Sequence, residues 1–220
     1  MTPVSVDQVA AAAESALGEP VSSEHAQALG AYLNLLARWN TTHNLTAIRD
    51  PAQMLTHHLA DCLAVLPPLL RHLASHPGQR LLDVGSGGGL PGVIIAIMAP
   101  QLDVTCVDSV GKKAAFIRHV AGELSLPNLH AEHTRVEDLR PTEPFDLITS
   151  RAFATLADFV AASRQIIAPG GAWMAMKGRA PDDEVAALPT DVEVFHVKPL
   201  RVPSLDAQRC LVWMRPRGRA

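Results

Sequence analysis

Three cysteines in 220 residues, Cys62, Cys106 and Cys210, are too few, too scattered and odd in number for a disulfide framework or a zinc knuckle. Their scarcity fits a reducing, cytosolic compartment. No apolar run approaches the roughly 20 residues that a membrane span needs, and the start Met1-Thr2-Pro3-Val4-Ser5-Val6-Asp7 lacks the basic segment of a secretory leader. The expectation is a soluble, unprocessed, cytoplasmic protein. A large charge of either sign is also missing. The net charge of -3 argues against a surface that binds nucleic acid all over, while leaving room for a local basic patch. Charged residues make up only 19% and mean hydropathy is +0.12, which excludes a disordered chain. At 48% hydrophobic residues a chain of this length can build a sizeable core.

What the chain does have is one dense stretch, Leu81-Leu82-Asp83-Val84-Gly85-Ser86-Gly87-Gly88-Gly89-Leu90-Pro91-Gly92, followed by an apolar segment from Val93 to Ala99. It reads as strand, tight loop and helix, with the helix starting near Leu90 or Pro91. Glycines let backbone approach a ligand closely, and the first helical turn offers unpaired N–H groups. Dinucleotide sites use such loops for a pyrophosphate. Here Asp83 precedes the first glycine by two residues and would repel a pyrophosphate, whereas the sulfonium and ammonium of S-adenosylmethionine favour an acid.

The stretch resembles the first motif of Rossmann-like methyltransferases, and three further features agree. Asp103 to Val107 reads as a second strand ending in Asp108, nineteen residues after Gly89, where a carboxylate can accept from both ribose hydroxyls. Phe145 to Ser150 reads as a fourth strand. Ile166-Ile167-Ala168-Pro169-Gly170-Gly171-Ala172-Trp173 reads as helix stop, turn and entry to a fifth strand. The predicted fold is α/β, a Rossmann-like S-adenosylmethionine-dependent methyltransferase fold. Its central, mostly parallel seven-stranded sheet carries helices on both faces, and a helical extension precedes it.

In chain order, helices are predicted over Val6 to Leu17 and about Ser23 to Trp39, where Leu29, Leu33, Leu36 and Trp39 repeat at helical spacing as core packing. Trp39 to Ile48 breaks into a polar loop. A third helix starts near Pro51, carries His57, His58 and Asp61, and closes at Pro67-Pro68. His57 and Asp61 share a face, and with no third ligand in view they read as a hydrogen-bonded pair fixing that helix, not as a metal site. Residues 1–78 thus form the extension and 79–220 the methyltransferase domain. Within the latter, Gly111 to Leu124 and Thr155 to Ile167 are predicted helices, and Leu129 to His133 and Trp173 to Lys177 predicted strands. Asp191 to Val197 and Cys210 to Met214 add an antiparallel pair.

Ser150-Arg151-Ala152-Phe153 follows the fourth strand where enzymes acting on exocyclic amines carry Asn/Asp-Pro-Pro-Tyr/Phe, which disfavours that chemistry. Carbon-5 methylation needs a nucleophilic thiolate, yet Cys106 falls in a buried strand and the other cysteines lack an active-site context. A ring nitrogen with its own lone pair, such as guanine N7, remains and needs no base.

Trp39-Asn40, Asn44-Leu45-Thr46, His58 with Asp61, the glycine stretch, Asp108-Ser109 with Gly111-Lys112-Lys113, Arg135-Val136-Glu137, Ser150 to Phe153, Lys177-Gly178 and Pro203 to Arg209 together resemble the RsmG family, also called GidB. The resemblance covers nearly the whole chain. It implies an S-adenosylmethionine-dependent methyltransferase acting on N7 of a guanine in the decoding-region loop of bacterial 16S ribosomal RNA. It further implies that Gly85 and Leu90 line the cofactor loop, that Val136 and Glu137 lie beside the adenosine, and that Arg151 closes and positions the site. The residues themselves add Gly87 and Gly89 in the loop, Asp83 near the methionine end and Asp108 at the ribose. Gly88 departs from the proline or alanine of many relatives and should loosen the loop.

For RNA phosphates the candidates are Lys112, Lys113, Arg118, Arg135, Arg151, Lys177, Arg179 and Arg209. Phe153 is placed either to stack on a flipped base or to pack beneath the site. The expected partner is 16S rRNA or the small ribosomal subunit, with no membrane, DNA or metal partner, and the expected state a monomer. Three readings compete with this one: a methyltransferase of the same fold acting on a small molecule or protein, a nicotinamide oxidoreductase, and a non-catalytic RNA-binding module.

Overall fold

The computed structural model describes residues 3–76, 78–151 and 153–218; Ala152 of the Ser150 to Phe153 motif lies outside them. Helix α1 (Val6–Leu17) opens on a capping box between Ser5 and Gln8 and stops at left-handed Gly18. Helix α2 (Ser23–His43) is capped by the Ser22 side chain and ends at left-handed Asn44. It outruns the predicted end at Trp39 by four residues, because buried Asn40 holds both the Ile48 carbonyl and the Thr46 N–H and so pulls the following loop onto the helix.

The predicted third helix is broken into α3 (Pro51–Met54), a π-helical turn (Leu55–Ala60) and α4 (Asp61–Leu63). Pro67 and Pro68 do not close it. They sit in the first turn of a separate helix, α5 (Leu66–Ser75), where a missing N–H costs nothing.

Seven strands then alternate with helices: β1 (Arg80–Val84), α6 (Gly92–Met98), β2 (Asp103–Asp108), α7 (Gly111–Glu123), β3 (Leu129–His133), β4 (Phe145–Ser150), α8 (Leu156–Ser163), β5 (Ile167–Lys177), α9 (Asp182–Ala186), β6 (Val192–Leu200) and β7 (Arg209–Pro216). Helix α8 ends four residues before the predicted Ile167, in a 3-10 turn over Arg164–Ile166. Strand β5 begins at Ile167, so Pro169 to Gly171 lie within it, at an irregularity in its pairing with β4.

The sheet order is β3-β2-β1-β4-β5-β7-β6, with the first five strands parallel and β7 antiparallel to both β5 and β6. Strand alternation divides the core. Leu81, Val104 and Leu147 pack with α1, α2 and α6 on one face, whereas Leu82, Val84, Ile148 and Val212 pack with α8 on the other. Chain order reverses between β1 and β4, so a crevice opens beyond the carboxyl ends of these strands.

Candidate active site

The loop after β1 folds back over β2: Gly85 N–H donates to the Val107 carbonyl at 2.9 Å, and Ser86 Oγ donates to the Asp83 carbonyl at 2.8 Å. Gly87 is glycine for its backbone conformation, since its φ is +59°, whereas a Cβ there would meet only the Gly85 carbonyl oxygen at 4.0 Å. Gly92 is glycine for close approach, because a Cβ there would lie 2.4 Å from Cys106 Sγ and 2.9 Å from Asp83 Oδ2. Gly88 has a tether from outside the loop: its carbonyl accepts a 2.7 Å hydrogen bond from the buried Tyr32 hydroxyl.

Asp83 is wholly buried beneath this loop. Its Oδ2 accepts from Gly92 N–H at 2.9 Å, and Oδ1 has no hydrogen-bond partner among the described residues. Burial pushes its pKa up to about 7, against the opposing pull of the Gly92 N–H and the Arg151 charge. Asp108, at the end of β2, accepts from Gly87 N–H through Oδ2 and from Val110 N–H through Oδ1, both at 2.9 Å, with Lys113 Nζ 3.5 Å away. It therefore ties the glycine loop as well as facing a cleft, and each oxygen keeps a second lone pair.

That cleft, of about 380 Å³, is walled by Gly85, Val107, Asp108, Lys113, Arg135, Val136, Glu137 and Phe153. Val136 and Glu137 enter it from the 3-10 turn Val136–Asp138. Leu90 does not line it; its side chain is 3% exposed, in the main core. Phe153 is shared with a neighbouring polar cleft of about 790 Å³, which also holds Arg151, Lys177, Arg179 and Glu184. Its ring packs on Phe159 with centroids 5.4 Å apart.

Arg151 is the junction of the site. Its Nη1 donates to the His57 carbonyl at 3.1 Å and lies 3.4 Å from Asp61 Oδ2, while Arg209 Nε reaches Asp61 Oδ1 at 2.8 Å. Asp61 thus joins the helical extension to two arginines, and the predicted pairing with His57 does not form. The π-helical turn explains the difference, because it changes the residue spacing just before Asp61. His58 bonds instead to Thr46 Oγ1 at 2.8 Å, and burial, reinforced by Arg151, lowers its pKa to about 4. Cys62, which the sequence left without a context, lies 4.0 Å from Arg151, but burial pushes its thiol up to about 12. It is no nucleophile at neutral pH. Thr46, His58, Asp61, Arg151, Lys177 and Arg209 line a third cleft of about 360 Å³.

The predicted phosphate ligands divide into engaged and available groups. Lys177 Nζ is 2.8 Å from Glu184 Oε2 and donates to the Ala154 carbonyl at 3.1 Å, pinning the loop after β4. Arg118 donates to the Ala131 carbonyl, and Lys113 sits beside Asp108. Lys112, Arg135 and Arg179 are exposed. Among the described residues no group of three or more His, Cys, Asp or Glu is placed to hold a metal ion, and no helix is long and apolar enough to cross a membrane. An apolar groove of about 510 Å³ between α2 and α3 shares no residue with these clefts.

A Gly-rich loop over a buried acid at the switch point, with a second acid at the end of β2, defines the Rossmann-like methyltransferase class. The fold matches the crystal structure of TrmN from Thermus thermophilus with a TM-score of 0.54 at 20% identity, over 74% of this chain and 53% of that one. It also matches the glycopeptide N-methyltransferase MtfA complexed with S-adenosylmethionine, with a TM-score of 0.55 at 13% identity, over 69% of this chain and 87% of that one. Within that class the chain belongs to the GidB family, rRNA small subunit methyltransferase G, which it matches over residues 25–212. It is 60% identical over 207 residues to the ribosomal RNA small subunit methyltransferase G of Leptothrix cholodnii (strain ATCC 51168 / LMG 8142 / SP-6), covering 94% of each chain. To the protein of the same name from Acidovorax sp. (strain JS42) it is 58% identical over 209 residues, covering 92% of each.

Proposed function

We propose that this chain transfers the methyl group of S-adenosylmethionine to N7 of a guanine in the decoding-region loop of 16S ribosomal RNA, acting as a cytoplasmic monomer. The observation that carries this reading is the Asp108 cleft opening beside Arg151 in a member of the GidB family. In it, residues 1–78 are a helical extension and 79–220 the methyltransferase domain.

The residues present suit the cofactor. Val107 and Val136 offer apolar walls to an adenine ring, Glu137 stands at the rim, and Asp108 has lone pairs for ribose hydroxyls. The orphaned Oδ1 of Asp83 supplies negative potential beneath the loop formed by Gly85, Gly87, Gly89 and Leu90. S-adenosylmethionine supplies an electrophilic methyl group on a positively charged sulfur.

Guanine N7 brings its own lone pair, so a carbon–sulfur bond breaks as a carbon–nitrogen bond forms and no proton moves. The groups around Arg151 suit that economy: His58 is neutral and hydrogen-bonded, and Cys62 is a thiol. The protein's work is to orient the base and exclude water. Arg151, held by His57 and Asp61, positions the substrate, and Phe153 stacks on the base. Arg135, Lys112, Lys113 and Arg209 supply charge for the RNA backbone, while Lys177 braces the loop after β4.

The test is methyl transfer from labelled S-adenosylmethionine to small ribosomal subunits, deproteinised 16S RNA and an unrelated RNA, with the product mapped by mass spectrometry. Label on a single guanine N7 supports the reading. Cofactor binding with no label on any RNA shifts it to a small-molecule or protein substrate.

A further inference from the structure

Tyr32 is the only tyrosine of the chain, and no part of the chemistry above uses it. It lies on α2, in the helical extension, and is 0% exposed. Its hydroxyl donates to the carbonyl of Gly88, 56 residues away, at 2.7 Å. A buried phenol has one hydrogen to give, and burial holds this group protonated, with its pKa raised well above the ordinary value. Leu36, one turn further along α2, presses on the same spot: a Cβ on Gly88 would meet its Cδ1 at 2.8 Å.

The recipient is a segment with little stiffness of its own. Gly88 stands between Gly87 and Gly89, both with positive φ, so three consecutive residues lack side chains to restrict them. Asp108 fixes the Gly87 N–H on one side, and Gly89 and Leu90 N–H return to the Ser86 carbonyl on the other. Between these anchors, Tyr32 is the side chain that holds the Gly88 carbonyl.

We infer that Tyr32 is a positioning residue for the cofactor: from the helical extension it holds the glycine loop in its binding geometry before the cofactor arrives. This rests on the loop being the S-adenosylmethionine site proposed above. Without the hydroxyl, the loop occupies the competent geometry only part of the time, and apparent affinity falls by that fraction. The loss of one buried hydrogen bond corresponds to a roughly tenfold change.

Two measurements on the full chain test this. In the first, S-adenosylmethionine is titrated calorimetrically into wild type and Tyr32→Phe well below both melting temperatures. The expected result is a roughly tenfold higher Kd for the variant, with kcat at saturating cofactor within about twofold of wild type. An unchanged Kd beside a lowered Tm would make Tyr32 merely structural and overturn the inference. In the second, amide exchange at Gly89 and Leu90 is followed in wild type with and without cofactor, which needs no variant to fold. Protection already present in the free protein supports a preset loop, and protection that appears only on binding overturns it. Failure of wild type to bind the cofactor at all would refute the proposed function instead, leaving the exchange measurement to judge whether the free loop is preset.

Discussion

Arg209 Nε lies 2.8 Å from Asp61 Oδ1, joining the first residue of β7 to a carboxylate that is 2% exposed on the helical extension. The other oxygen faces Arg151 at 3.4 Å, so one buried acid holds two arginines, one just after β4 and one at the start of β7. Removing one member of such a cluster strands the remaining charges in a poorly solvated place. Asp61→Ala should therefore lower unfolding free energy by about 2–4 kcal/mol in urea titrations. Arg209→Ala, which leaves Asp61 with Arg151, should cost about half of that. A loss under about 0.5 kcal/mol for Asp61→Ala would place the cluster with ordinary surface pairs.

Two buried groups give opposite pH slopes in one window. His58 has a folded pKa near 4, below its ordinary 6.5, so the unfolded chain binds the extra proton and stability rises with pH between those values. Asp83 has a folded pKa near 7, above its ordinary 3.8, so the folded chain binds the extra proton and stability falls with rising pH between those values. The two contributions oppose each other across most of that range. Asp83→Asn, which keeps an acceptor for Gly92 N–H, should expose a rising profile, and His58→Gln a falling one. Each slope reaches at most about 1.4 kcal/mol per pH unit. Urea midpoints from pH 4 to 7 check this, and parallel profiles for the three proteins would contradict both assignments.

Much of this was legible in the sequence because β1, β2 and β4 are short, largely apolar runs ended by Gly, Asp or Ser, where composition and punctuation agree. The acid at the end of β2 and the glycine loop could be read for the same reason. What could not be read depends on contacts between distant segments. Asp61 stands four residues after His57, but a π-helical turn and two arginines, one just after β4 and one opening β7, decide its partners. Tyr32 is hidden in an apolar stripe whose periodicity says only core. Lys177 looks like a free cation until Glu184, on a short helix, is seen beside it.

Asp83 also gives cofactor binding a proton signature. Near pH 7 its carboxyl is partly protonated, and a cation arriving within a few ångströms would drive the proton off. Calorimetric enthalpies for S-adenosylmethionine measured in phosphate and in Tris should therefore differ in the direction of proton release, and should converge for Asp83→Asn. Equal enthalpies in wild type would leave Asp83 as the anchor of Gly92 alone.

Asp108 and Arg151 should separate binding from turnover. Asp108→Ala removes the acceptor for Gly87 N–H together with the proposed ribose contact, and should raise the cofactor Kd about 10- to 100-fold. Arg151→Ala leaves the Asp108 cleft unaltered, since Arg151 is not among its walls, and should lower kcat on RNA while changing cofactor Kd less than about threefold. Equal cofactor affinity for Asp108→Ala and wild type would refute the ribose assignment.

Lys177 and Arg135 should differ in how they respond to salt. Arg135 is exposed at the rim of the Asp108 cleft, and a contact from it to an RNA phosphate releases a counterion on binding. Arg135→Met should then reduce the slope of log K against log salt by about 0.7 to 0.9. Lys177 already spends its charge on Glu184 and on the loop after β4, so recruiting it would leave Glu184 unpaired. Lys177→Met should leave the salt slope unchanged and lower kcat through that loop. A drop in slope for Lys177→Met equal to that for Arg135→Met would instead mean that an RNA phosphate displaces Glu184 when substrate binds.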